Sequence, residues 1–139
     1  MNNTAVVILG HGSRRSEGQV TVTQTADRYR QDHPEYRTAY AFMEFVEPTL
    51  PQITAELYED GIRVFYVVPL FLSMGTHCAK HMPEMIATLR QGYPDADFLL
   101  APPLGADPLL CTIVEKRVQS LVSDRSERGE ERHDSDATL

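Results

Sequence analysis

Four short apolar runs, each followed by a stretch with helical spacing, constrain this chain more than any other feature. The runs occupy 5–9, 38–43, 63–72 and 97–101. They are continuous rather than alternating, which is the pattern of strands covered on both faces. The third run is expected to become a loop after Pro69. Between the runs, Ser16-Glu17-Gly18-Gln19 matches an S-x-x-Q capping box, and Val22, Ala26 and Tyr29 recur at helical spacing. That first helix should end near His33, because Pro34 disfavours helical geometry just before it. Pro48 suits the start of a second helix with Leu50, Ile53 and Leu57 on one face, stopped at Gly61. Pro83 marks the start of a third, with Met82, Ile86, Leu89 and Tyr93 on one face and Gly92 and Pro94 at its end. Asp107-Pro108 reads as a cap and first-turn proline, and Leu110, Val114, Val118 and Leu121 as the buried stripe of a fourth.

Strand and helix therefore alternate four times. This predicts an α/β fold: a doubly wound, four-stranded parallel sheet with helices on both faces and right-handed crossovers. At 139 residues the chain is expected to form one domain. From Ser123 onward it holds six acidic residues against three arginines, with no apolar periodicity. The expectation is an ordered domain over 1–122 and a disordered, solvated tail over 123–139.

A net charge of −7 argues against a general nucleic-acid or anionic-membrane binder, though not against a small anionic substrate met by local cations. No apolar run has the length of a membrane span. The N-terminus carries no positive charge ahead of its apolar run, and two cysteines make no disulfide framework. The first argues against a secretory signal, and the second fits the expectation of a reducing cytoplasm.

In open parallel sheets, ligands bind beyond the carboxyl ends of the strands, near a switch in strand order. His11, Glu44, His77 and the Pro102-Pro103 loop each follow a different run, so all four are expected on one sheet edge. Neutral imidazoles ligate divalent iron, cobalt, nickel and zinc. His11 and His77 are thus candidates to hold a metal ion loosely, with Glu44 as third ligand or proton acceptor. Gly10-His11-Gly12 is not a dinucleotide fingerprint, since Arg15 stands where the third glycine belongs, and it is not a Walker loop. Arg14 and Arg15 suit bidentate contacts to substrate carboxylates, or a solvated first turn. Lys80 has the same two readings. If the segment around His77-Cys78-Ala79-Lys80-His81 is helical, His77 and His81 share a face and Cys78 points elsewhere. It lacks the second close ligand pair of a dedicated zinc site. His33 and His133 read as surface residues, most methionines and Cys111 as packing, and Met74 as a residue lining the cleft.

Leu9-Gly10-His11-Gly12-Ser13, the stretch from Ala41 to Pro51, the stretch from Val68 to His77, and Pro103-Leu104-Gly105 together resemble the sirohydrochlorin chelatase family. These are the class II tetrapyrrole chelatases of the CbiX/SirB type. The resemblance covers nearly the whole ordered chain, and its specificity lies in the ordered set rather than in any one motif. It implies a lyase-type chelatase that inserts Co²⁺, Fe²⁺ or Ni²⁺ into sirohydrochlorin, a carboxylate-rich tetrapyrrole of cobalamin or siroheme biosynthesis. The metal is then a substrate, and no cofactor is permanently bound. The family's metal histidines fall on His11 and His77 and its motif glutamate on Glu44. Ser13, Arg14, Arg15, Phe42, Phe71, Leu72, Met74, Gly75 and Thr76 are the expected substrate contacts. The chain's length matches the short form, which pairs as a homodimer around a shared cleft. One departure is His81, where many relatives carry an aspartate; it either alters metal preference or replaces a helix cap.

Two other functions compete. A carrier would bind metal or tetrapyrrole at the same residues without accelerating insertion. Phosphoryl transfer through a nucleophilic histidine normally places an arginine just before that histidine, and here the position is Gly10.

Overall fold

A computed structural model of the chain describes the backbone of residues 2–137 and the side chains of residues 2–129. His133 lies outside the described side chains. Two compact units divide at Leu104/Gly105.

The first unit contains four strands: β1 (Thr4–Gly10), β2 (Arg37–Phe42), β3 (Val64–Pro69) and β4 (Asp97–Leu100). They form one sheet in the order β2-β1-β3-β4, and every neighbouring pair is parallel. Helices α1 (Ser16–Asp32), α2 (Leu50–Glu59) and α3 (Gly75–Gly92) supply the crossovers. The continuous apolar runs are strands whose side chains feed two cores, one on each face of the sheet, although Tyr66 of β3 and Leu99 of β4 are exposed. Val7, Leu9, Ala41, Phe65 and Phe98 belong to one core with residues of α2 and α3, including Leu50, Leu57, Met82 and Ile86. Val6, Ile8 and Phe42 belong to a second, with Val22 and Ala26 of α1. No helix among the described residues is long and apolar enough to cross a membrane.

Three helix starts differ from the sequence expectation. α1 begins at Ser16, but its cap position is Arg15 and has no side-chain bond. Ser13 takes over the local work: its Oγ accepts from the Arg15 N–H at 3.1 Å, and its carbonyl accepts from Gln19 Nε2 at 3.0 Å. α2 is capped by Thr49, which forms a reciprocal capping box with Gln52, and the proline in its first turn is Pro51 rather than Pro48. α3 begins at Gly75, so Pro83 lies inside it. The buried stripe explains why: Cys78, Met82, Ile86 and Leu89 continue one apolar face across Pro83, and that burial outweighs the missing N–H.

The two β-α-β halves of the first unit share a device at the sheet edges. α1 and α3 end with the same backbone geometry, at His33 and Tyr93. Arg30 donates to the Thr38 carbonyl at 3.1 Å and Arg90 to the Phe98 carbonyl at 2.6 Å, each eight residues on. Each guanidinium occupies a carbonyl on an edge strand that would otherwise be open to another strand.

The second unit holds one helix, α4 (Leu109–Ala137). Asp107 caps it, its Oδ1 accepting from the Leu109 N–H at 2.9 Å. The stripe expected to be buried is exposed at Val114, Val118 and Leu121. Cys111, expected as packing, is exposed as well. A lone helix has no second element in its own unit against which to bury a face. The segment expected to be disordered from 123 is helical as far as Ala137, in keeping with its content of Glu and Arg, both good helix formers.

Candidate active site

The strand order reverses between β1 and β3: from β1 the chain crosses to β2 on one side, and from β3 to β4 on the other. The connections after β1 and β3 therefore leave the carboxyl edge toward opposite sides of the sheet, and that edge is the usual ligand position in such sheets. Backbone bonds hold the loops at this edge together. The Leu70 N–H donates to the Leu9 carbonyl at 2.8 Å, the Met43 N–H to Gly10 at 3.0 Å, and the Leu104 N–H to Phe71 at 2.8 Å. His11, Glu44, the segment leading to His77 and the Pro102-Pro103 loop thus share one edge, as their positions after the strands predicted.

His11 is exposed immediately after β1, and its ring lies 5.7 Å from the ring of Phe71. Gly12 follows with φ +106°, and a Cβ there would sit 1.8 Å from the Glu44 carbonyl oxygen. Only glycine permits this approach. The contact ties the backbone of the His11 loop to that of Glu44, whose side chain is half-buried. His77 is exposed in the first turn of α3, after Gly75 and Thr76. Its ring stacks on His81, with centroids 5.4 Å apart and planes 14° apart, and Cys78 is buried on the other side. Among the described residues, no three His, Cys, Asp or Glu side chains converge closely enough to hold an ion.

Arg14 and Arg15 are exposed, and neither makes an ion pair among the described residues. Their charges face solvent, as anion recognition requires. The expected ring contacts divide. Leu72 is 65% exposed at the edge, and Met74 is half-buried at the start of α3. Phe71 is nearly buried, with its ring beside His11. Phe42 is 2% exposed and belongs to the core, so it offers no surface to a ligand. Its strand position made it look available, but the end of β2 is covered by α1 residues.

Sequence reasoning passed over Phe45. It follows Glu44 with φ +68°, is 65% exposed, and lies under the Arg14 guanidinium at 4.9 Å. A left-handed phenylalanine exposed to water is costly in both backbone and hydration terms, and such strain clusters at functional sites. The available signal was an aromatic next to the motif glutamate in a loop at the ligand edge.

Comparison with known proteins identifies the family and the fold. The family model described as CbiX matches residues 5–121. A protein of Methanosarcina acetivorans named sirohydrochlorin cobaltochelatase is 34% identical over 121 residues, covering 82% of this chain and 93% of its own. The crystal structure of a CbiX protein from Marinobacter aquaeolei VT8 superposes with TM-score 0.77 at 30% identity, covering 87% of this chain and 98% of the other. The sirohydrochlorin chelatase SirB of Bacillus subtilis subspecies spizizenii, solved in complex with cobalt, also gives TM-score 0.77, at 26% identity. That match covers 84% of this chain and 50% of SirB, so this chain spans about half of it.

Proposed function

Since the chain belongs to the CbiX family, we propose that it is a sirohydrochlorin chelatase, inserting Co²⁺ in preference to Fe²⁺ or Ni²⁺. The observation that carries this reading is the shared edge: His11 after β1, Glu44 locked by its backbone against Gly12, and His77 opening α3. Insertion requires the ion to shed water and two pyrrole N–H protons to leave, so that M²⁺ replaces 2H⁺ in the macrocycle. His11 and His77 hold the ion through exchangeable imidazoles. Two protein donors leave positions open, which suits an ion in transit rather than a structural site. Glu44 accepts protons. Arg14 and Arg15 pair with peripheral carboxylates, and Phe45, Leu72 and Met74 present apolar surface to the flat ring. Ser13, in the loop after β1, and Gly75 and Thr76, in the first turn of α3, border it. Imidazole ligands do not by themselves select cobalt; the cobalt preference rests on the names of the relatives.

The working unit in this reading is a homodimer in the cytoplasm, with no resident cofactor. An exposed apolar stripe on α4 supports the dimer: Leu109, Val114 and Leu121 are exposed there. A second copy would cover it, and Leu121→Glu should shift the species to monomer in sizing chromatography. Cytoplasmic residence is supported by the free cysteines Cys78 and Cys111.

The test is anaerobic mixing of protein with sirohydrochlorin and Co²⁺, Fe²⁺ or Ni²⁺, followed by visible absorption. Insertion faster than the protein-free control is expected, and His11→Ala and His77→Ala should each remove most of the acceleration. A rate equal to the control with every metal would replace the chelatase reading with the carrier.

A further inference from the structure

α3 carries a second imidazole, the half-exposed His81, that the proposed site does not use. His77 and His81 lie four residues apart on one helix face, with near-parallel rings whose centroids are 5.4 Å apart. Two imidazoles that each reach one ion at about 2.1 Å, with a tetrahedral angle between them, have centroids roughly 5 Å apart. The observed spacing is close to that value, and because the near-parallel planes aim the in-plane nitrogens side by side, both solvent-reachable rings turn about their side-chain bonds to meet one ion. Helix geometry fixes the separation, because residues at i and i+4 are surface neighbours. Thr76, Lys80 and Glu84 line the same shallow depression. His77 is exposed and His81 half-exposed, so both rings are reachable from solvent.

We propose that His77 and His81 form a bidentate clamp for a hydrated divalent cation, separate from the His11–His77 pair but sharing His77. Each imidazole replaces one water on the ion, and the remaining positions keep water, since no third donor converges there among the described residues. A site with two protein ligands binds moderately and releases readily. His77 belongs to both pairs, so an ion held by His81 and His77 passes to His11 and His77 by exchanging a single ligand. This relay rests on the chelatase reading given above; the clamp itself does not. It also assigns His81 a role other than that of a helix cap. His81 lies in the second turn of α3, beyond the first-turn N–H groups that a cap satisfies.

Co²⁺ alone serves as the probe, without tetrapyrrole, on the full chain by equilibrium dialysis and visible d–d absorption. The His11→Ala variant removes the other pair and should still bind one Co²⁺ per chain. Adding His81→Ala in that background should weaken binding by about tenfold or more, because the second imidazole acts at high effective concentration once the first is bound. His81→Gln, which keeps a polar helix-forming side chain, should give the same loss, with unchanged circular dichroism excluding misfolding. Restoring an imidazole off the shared face, by Ala79→His in the His11→Ala/His81→Ala background, should not recover binding. Absence of Co²⁺ binding in His11→Ala would overturn the clamp. So would equal affinity of the single and double variants, or full recovery by Ala79→His. None of these outcomes depends on metallation, so failure of the chelatase reading leaves the clamp standing, and the reverse holds too.

Discussion

Replacing Gly12 by alanine tests whether the contact between the His11 loop and Glu44 organises the site. The new Cβ would lie 1.8 Å from the Glu44 carbonyl oxygen and 2.9 Å from its carbonyl carbon. Close-packed neighbours do not approach so near, so the Glu44 peptide must withdraw by about 1 Å or more. Forced repacking of this kind costs about 1–3 kcal/mol. A side chain at positive φ adds about 1–2 kcal/mol. Gly12→Ala should therefore lower unfolding stability by about 2–5 kcal/mol. Gly61 supplies the control, since its φ is +95° and nothing lies within 4 Å of the position its Cβ would take. Gly61→Ala should carry only the backbone part, about 1–2 kcal/mol. Urea midpoints at unchanged slope measure both. For function, a shift of about 1 Å in Glu44 should slow metal insertion by about a hundredfold. Gly61→Ala should leave the rate intact, because Gly61 follows the end of α2 away from the ligand edge. Equal stability losses for the two variants would refute the steric argument. A Gly12→Ala protein that is destabilised but inserts metal at the wild-type rate would refute the link between Glu44 position and chemistry.

Other outcomes follow from single features. Thr49→Ala removes the capping box of α2 and should cost about 1 kcal/mol by urea unfolding, with Thr49→Ser recovering most of it. Phe65, fully buried and stacked on Phe98 with ring centroids 4.7 Å apart, should cost about 3–5 kcal/mol when cut to alanine, with no change at the ligand edge. The Glu35 carboxyl is held below its ordinary value of 4.5 by its own backbone N–H and by the His33 ring. A depressed carboxyl stabilises the fold above its unfolded value and loses that contribution as pH falls through the folded value. Wild type should therefore exceed Glu35→Gln in urea midpoint at neutral pH, and the gap should close on acidification below 4.5.

Short apolar runs bounded by helical stretches located the strands, because most of their side chains enter one of the two cores that flank the sheet. Periodicity also located α1, α2 and the end of α3, where prolines and glycines act through local backbone sterics. The start of α3 was hidden because Pro83 is a strong local stop signal, while the reason to continue through it, burial of Cys78 against the core, is not local. From sequence, His77 and His81 share a face only if their segment is helical, and the structure makes it so.

Sequence by itself determined the alternation of elements, and with it the shared edge for His11, Glu44 and His77, because a parallel sheet places every strand's carboxyl end on the same side. Tertiary structure decided which of the flanking residues are available at that edge. Phe42 and Phe45 are both aromatic and three positions apart. One is buried by the α1 packing, and the other is turned to solvent by a left-handed backbone. The side chain's chemistry is the same in both; burial depends on what another part of the chain places against it, which no local pattern records.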